Sequence, residues 1–321
     1  MTRKDPLRSY LEQASHPDSP GMQDWGRALA SRARNPEGVV AVLLYGSGLW
    51  QTDPDIQKEK EKETGTGRIW DVYILCDRIR DWQTGPFWPA AGALMPPNAV
   101  FLSGTPPVKA AVMRVDQFET GAAGRDIRPH IWARFAQPCR ILYHRGESEY
   151  ARVMTALESA LVTFHRQTLP FLPGQADLRT LWERGLSRTY AQEWRSEKSS
   201  RPAQIFNAAP EEFAQRTTLA LPRTGYPVSR DSVGRITLNW PARRIKIFRF
   251  RSRLRARLAK ALTFLQLIKS TWTFDGAAEY AAWKIARHSG ITIELTRFQK
   301  RHPLIGAWPV LWQLYKKGGF R

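Results

Sequence analysis

The sequence predicts an α/β (α+β) fold: a mixed sheet first, a mainly helical part next, and a basic amphipathic C-terminal region last. Three observations predict it. The runs Val39–Tyr45 and 69–76 are short, apolar and rich in Val, Ile and Leu, with small or charged residues at their ends. After Glu147 the apolar residues recur at helical spacing instead. Beyond residue 241, Arg and Lys crowd around an apolar stripe. These changes divide the chain into residues 1–145, 146–240 and 241–321. A length of 321 residues leaves room for two domains, and a hydrophobic share of 42% supports a sizeable core.

Taken in order, residues 1–35 are polar and helical in character, with a helix expected around residues 24–33. Strands are expected over Val39–Tyr45 and residues 69–76. Between them, residues 53–67 carry the run Gln57-Lys-Glu-Lys-Glu-Lys-Glu63 and read as a mobile loop. Two more strands, 98–103 and 108–115, flank a Gly104-Thr-Pro-Pro107 turn. A helix begins near Asp116, another spans about 129–136, and residues 139–143 form a short strand. Residues 151–169 place Val153, Leu157, Leu161 and Phe164 on one helical face, and residues 178–194 repeat the pattern. Pro210 opens a further helix with Glu211 and Glu212 in its first turn. Residues 221–240 read as loop. Cys76 and Cys139 lie within apolar runs and read as buried small hydrophobes, neither disulfide nor metal ligands.

The formal net charge of +20 calls for an anionic partner or surface. It is concentrated between residues 242 and 274, which hold ten Lys or Arg and no Asp or Glu. Ile247, Phe250, Leu254, Leu258, Ala261, Leu265 and Ile268 fall at helical spacing there, whereas the alternation of arginines from Arg249 to Arg257 also suits a strand. Two readings stand for a helix. Its apolar face packs into the core and leaves a solvated basic face, or its charges meet anionic lipid headgroups, at about 1 kcal/mol each. Nucleic acid is the competing polyanion. Residues 291–321 set Trp308, Trp312, Tyr315 and Phe320 beside Lys300, Arg301, Lys316 and Lys317, which suits either an interfacial anchor or a docked helix. No apolar run is long enough to span a bilayer, and the polar N-terminus offers no apolar signal region, so any membrane contact is expected to be peripheral.

Chemistry concentrates where the first strand ends. Gly46-Ser47-Gly48 lets backbone N–H groups approach a triphosphate with no Cβ in the way, and Ser47 adds a hydroxyl. Asp71, a lone acid in an apolar run, is placed to hold Mg²⁺ against the same phosphates. Tyr73 occupies the position where a second metal carboxylate is expected, which leaves Asp53, Asp55 or Asp116 as sources. The histidines show no metal-ligand spacing. A strand, a small-residue turn and a neighbouring strand with one carboxylate resemble the active-site arrangement of polymerase-β-type nucleotidyltransferases.

Four stretches extend the resemblance. They are Tyr45-Gly46-Ser47-Gly48-Leu49-Trp50 with Ile69-Trp70-Asp71-Val72-Tyr73; Val108-Lys109-Ala110-Ala111-Val112 with residues 132–142; Leu186-Ser187-Arg188-Thr189-Tyr190-Ala191-Gln192-Glu193-Trp194-Arg195 with Glu197 and Lys198; and Gln266-Leu267-Ile268-Lys269 with Gly276 and Tyr280. Together they resemble the mitochondrial-type CDP-diacylglycerol synthases, the phosphatidate cytidylyltransferases of the translocator assembly and maintenance family. Glu193 stands where that family usually has Asp, and no Tyr-Gly follows Lys109. The resemblance implies a nucleotidyltransferase of phospholipid biosynthesis that moves CMP from CTP to phosphatidic acid, with Mg²⁺ as cofactor. It implies Asp71 and Lys109 as catalytic residues and Asp71 as the metal ligand. It implies Gly46, Ser47, Gly48, Tyr190, Glu193, Arg195 and Lys198 as nucleotide-binding residues. The expected partners are CTP, phosphatidic acid and an anionic membrane surface, the cytoplasmic side of a bacterial inner membrane, with no nucleic acid. The alternative is a nucleotidyltransferase acting on an RNA, protein or small-molecule acceptor.

Overall fold

The structure, a computed structural model, describes residues 5–46, 49, 69–83, 87–104, 106–192, 200–274 and 296. Its centre is a five-stranded mixed sheet. The strands are β1 (Val39–Tyr45), β2 (Trp70–Cys76), β3 (Asn98–Leu102), β4 (Val108–Arg114) and β5 (Cys139–His144), in the order β3-β4-β2-β1-β5. β2 and β4 run parallel; every other pair is antiparallel. β1 and β2 are central and buried on both faces, which is why they read as unbroken apolar runs rather than alternating ones.

Period-two geometry sends alternate residues to opposite faces. Leu43, Tyr73 and Met113 face a core built with α1 (Pro6–Ala14), α5 (Val115–Ala122), α6 (His130–Phe135) and α7 (Glu147–Thr168). Val42, Ile74 and Val112 face the other core, closed by α2 (Pro20–Ala30), α3 (Ile79–Trp82) and α4 (Trp88–Leu94). The helical character expected of residues 1–35 takes the form of two helices: α2, which begins at Pro20, and before it α1, started by Asp5, whose side chain accepts from the Leu7 N–H at 3.1 Å.

The first core continues without a break into α8 (Leu178–Gln192), α9 (Arg201–Ala208) and α10 (Pro210–Ala220). Phe164 of α7 stacks on Trp182 of α8 at 4.4 Å between centroids. A Cβ at Gly185 would stand 2.3 Å from the Phe164 ring, so glycine is what lets α8 approach α7 this closely. Residues 221–240 are not all loop: β7 (Val228–Arg230) and β8 (Ile236–Leu238) join β6 (Gln175–Ala176) in a small sheet ordered β6-β8-β7. Cys76 and Cys139 are both buried thiols, as expected.

The basic segment is one helix, α11 (Ala242–Thr273), 32 residues long and therefore about 48 Å. The strand reading of its arginines falls away. So does the reading that sends its apolar face into the core. Phe250 is 71% exposed, and Ile247, Leu254, Leu258, Leu265 and Ile268 are exposed with it. The helix docks through cations instead. Arg249 donates to Pro170 O (2.6 Å) and Leu172 O (3.3 Å). Arg255 donates to Gly124 O (2.6 Å), Ile127 O (3.2 Å) and Asp126 O. Lys269 donates to Met95 O (2.6 Å), Pro97 O (2.8 Å) and Asn98 Oδ1 (2.8 Å). Among the described residues no helix is long and apolar enough to cross a membrane.

Candidate active site

The site forms where the C-terminal end of β1 meets the beginnings of β2 and β4. Tyr45 pairs with Asp71 across the antiparallel ladder, and Asp71 pairs with Lys109 across the parallel one. Directly paired residues point to the same face, so the three side chains stand in a row, with neighbouring strands about 4.8 Å apart. Gly46 follows at φ +77°, in the left-handed region that favours glycine. An added Cβ there would lie 3.8 Å from Asp71 Oδ2, so the turn passes close beside the carboxylate.

Beside this row lies a cavity of about 320 Å³, at the small end of ligand-binding pockets. The sheet supplies Tyr45, Tyr73 and Lys109; α6 supplies His130 and Arg134; α11 supplies Thr263, Gln266 and Ser270. Tyr45 and Tyr73 meet edge to face at 5.2 Å; Tyr45 is half-buried, while Tyr73 is buried against Phe118 and Phe135. Lys109, Arg128 and Arg134 line it, and among the described residues no carboxylate does. This environment suits an anionic ligand.

Two buried cations hold the wall formed by α11. Arg128, 8% exposed, bonds Asp126 Oδ2 at 3.0 Å, Pro96 O at 2.9 Å and Gln266 Oε1 at 3.3 Å. Gln266 in turn donates to Pro97 O at 2.7 Å. Burial, with the Arg128 guanidinium nearby, pulls the Lys269 ammonium down to about 7. Its three oxygen partners fix its position.

The structure brings together Gly46, Asp71 and Lys109 from the sequence-derived set. Tyr190 sits on α8 and packs against the main core; it does not line this cavity. Ser47, Gly48, Glu193, Arg195 and Lys198 lie outside the described residues, as do Asp53, Asp55 and the stretch 297–321. Asp116 does not supply a second carboxylate. It lies in the first turn of α5, past the far end of β4, which itself runs about 17 Å on from Lys109, and it is bound to Arg114 by hydrogen bonds of 2.8 and 2.7 Å. Those bonds hold its carboxyl below the ordinary value. Among the described residues no group of three His, Cys, Asp or Glu could hold a metal ion.

Sequence reasoning gave Arg128, Arg134 and Thr263 no role. One sheet-side member was open to a parity argument: Tyr73 is two residues from Asp71 and shares its face. The members from α6 and α11 carry no such signal. No model of a known protein family matches the chain, and no curated protein matches it.

Proposed function

We propose that the chain is a nucleotidyltransferase working at a membrane surface, a phosphatidate cytidylyltransferase that transfers CMP from CTP to phosphatidic acid and releases pyrophosphate. The observation that carries the reading is the row Gly46, Asp71 and Lys109, whose Lys109 also lines a cavity walled by Arg128 and Arg134. A mixed α/β architecture with the acid on a central strand suits the polymerase-β type.

The donor set fits magnesium. One hard carboxylate beside a site for phosphate oxygens is sufficient, because Mg²⁺ commonly takes one or two carboxylates and completes its shell with water and substrate phosphates. Asp71 would hold it, and the ion would supply charge neutralisation at the reacting phosphorus and the leaving pyrophosphate. The chain's own work is positioning and electrostatics. Lys109 and Arg134 draw the triphosphate into the cavity. The half-buried Tyr45 ring would offer the base an apolar contact. An oxygen of the phosphatidate phosphate attacks the α-phosphorus of CTP; that P–O bond forms as the bond to the bridging α–β oxygen breaks, and pyrophosphate leaves with the electron pair. The attacking oxygen is already ionised, so no strong general base is required. The exposed apolar edge of α11 starts on the same turns as the cavity wall, with Leu265 and Ile268 beside Gln266, and would bring the bilayer to the site.

The test is pyrophosphate release from each of the four NTPs, with Mg²⁺ and phosphatidic acid in mixed micelles. Release that needs both CTP and phosphatidic acid, and falls at least about 100-fold in Asp71→Asn, supports the reading. Release indifferent to phosphatidic acid points to another acceptor. Full activity in Asp71→Asn removes the metal assignment.

A further inference from the structure

A second cationic cluster lies away from the cavity, where the N-terminal half of α11 crosses α8 and the 3-10 turn Leu169–Phe171. The Arg188 guanidinium sits over the Phe171 ring at 3.0 Å from its centroid, and Arg249 approaches the same ring at 5.7 Å. Arg188 is half-buried. Among the described residues it makes no hydrogen bond and no ion pair. Burial first, then Arg249 and Arg253, pull it down to about 10. Two guanidinium groups therefore converge on the Phe171 ring, and Arg253, one helical turn beyond Arg249, adds a third charge, with no acid on α11 to offset them. Such an arrangement is costly without an anion and favourable with one.

What lies beside the cluster decides the kind of anion. Arg253 is four residues from Arg249 and three from Phe250, so it stands between the cationic cluster and the exposed apolar edge. That edge is Phe250 at 71%, Leu254 at 53% and Leu258 at 50% exposure. A free phosphate or an RNA backbone has no use for it; a phospholipid needs both parts. We propose that Arg188, Arg249 and Arg253 bind the phosphate of an anionic phospholipid whose acyl chains lie along Phe250 and Leu254. The cluster is some fifteen residues before Gln266 on the same helix, or about 22 Å away, so this lipid is not the one that reacts. It fixes α11 on the bilayer in one orientation. The inference stands independently of the proposed chemistry.

The experiment is co-sedimentation of the full chain with phosphatidylcholine vesicles, with and without phosphatidylglycerol. Phosphatidylglycerol is chosen because it is not the acceptor of the proposed reaction. Arg243, exposed at the start of α11 and outside the cluster, serves as the equal-charge control. Arg243→Gln is expected to weaken binding to the anionic vesicles about fivefold, the generic effect of one charge. Arg188→Gln and Arg253→Gln are each expected to weaken it at least about tenfold. Equal losses in all three variants mean diffuse attraction and overturn the site. Arg253 is exposed, so its variant decides the matter if Arg188→Gln does not fold.

Thermal shift identifies the ligand. Monomeric short-chain phosphatidylglycerol should stabilise the wild type and not Arg253→Gln. Equal stabilisation by inorganic phosphate overturns the lipid assignment, and so does a single-stranded RNA that displaces the vesicles and loses its own binding in Arg253→Gln. Selective vesicle binding by a chain that never turns over CTP supports the site while refuting the enzyme reading, so the two failures are distinguishable.

Discussion

Replacing Arg255 by Met should undock the first half of α11. In the structure this guanidinium donates to Gly124 O at 2.6 Å, to Ile127 O at 3.2 Å and to Asp126 O, all on one short loop after α5. Met keeps the apolar stem and removes all donors. Hydrogen bonds to a charged group are worth about 1.5–3 kcal/mol each. Burial works against the sum, since it pulls Arg255 below its ordinary value while Asp126 opposes the shift. A net loss of about 2–3 kcal/mol remains once that burial is set against three bonds. Little else holds this stretch, because Ala259 is the only buried apolar side chain among those described on α11. At 1.4 kcal/mol per tenfold, opening should become about 30- to 150-fold more frequent. Amide hydrogen exchange in the peptide spanning residues 250–260 reads this directly, with the β1 and β2 peptides as unchanged controls. Arg255→Lys should recover less than half the protection, because one ammonium cannot reproduce the guanidinium fork. Protection over 250–260 equal to wild type in Arg255→Met would refute docking by cation-to-carbonyl bonds.

Two further perturbations test the body of the protein. Arg216 is 1% exposed and bonds Glu212 Oε1 through two nitrogens at 3.2 and 2.9 Å. Glu212→Ala leaves that charge buried and uncompensated, so urea unfolding should show a loss of about 3–5 kcal/mol; a loss below about 1 kcal/mol would mean that the guanidinium escapes to water. His165 is fully buried, with Nδ1 against Leu161 O at 2.8 Å and Nε2 against Thr217 Oγ1 at 3.2 Å. Since the carbonyl can only accept, the proton of the neutral ring sits on Nδ1. Burial pushes this histidine down to about 4 from 6.5. The unfolded chain therefore takes up the proton first. The stability is complete above about pH 6.5 and is lost as pH falls, by about 3 kcal/mol at pH 4. A His165→Gln variant that keeps the same acid slope would assign the loss to other groups.

The central strands were legible because burial on both faces leaves no room for polar residues, and β1 and β2 carry that requirement in their composition. The small sheet in residues 175–238 was not, because strands of two and three residues with exposed positions have no period to read. The short helices α3, α4 and α9 fail for the same reason. At the candidate site, the residue chemistry of Gly46, Asp71 and Lys109 was visible, and their adjacency depended on strand order. β2 pairs with β4, which follows it after two helices and another strand, and only that pairing sets Lys109 beside Asp71. The α11 wall arrives from more than a hundred residues downstream, at a distance over which a single sequence carries no pairing information.

The basic helix shows why a charge run and an apolar stripe are poor guides to which face is inside. Each of its three docked cations meets the carboxyl end of a different helix. Arg255 takes the carbonyls just past α5, Arg249 those just past α7, and Lys269 those just past α4. Those are the places where carbonyls lose their intrahelical donors and where the helix dipole is negative. A body that presents three such ends toward one groove attracts a cationic helix face more strongly than an apolar one, because an apolar face would leave the carbonyls dry. The apolar stripe is then forced outward by geometry, along with Arg243, Arg244, Lys246, Arg251, Arg253, Arg257 and Lys260, all exposed. The positive charge of this segment thus divides into two classes with different work. Three cations complete the fold, Arg249 among them also lending its charge to the proposed phosphate site, and seven remain to face whatever the exposed stripe meets. Salt should separate the classes, since screening weakens the exposed seven far more than the docked three.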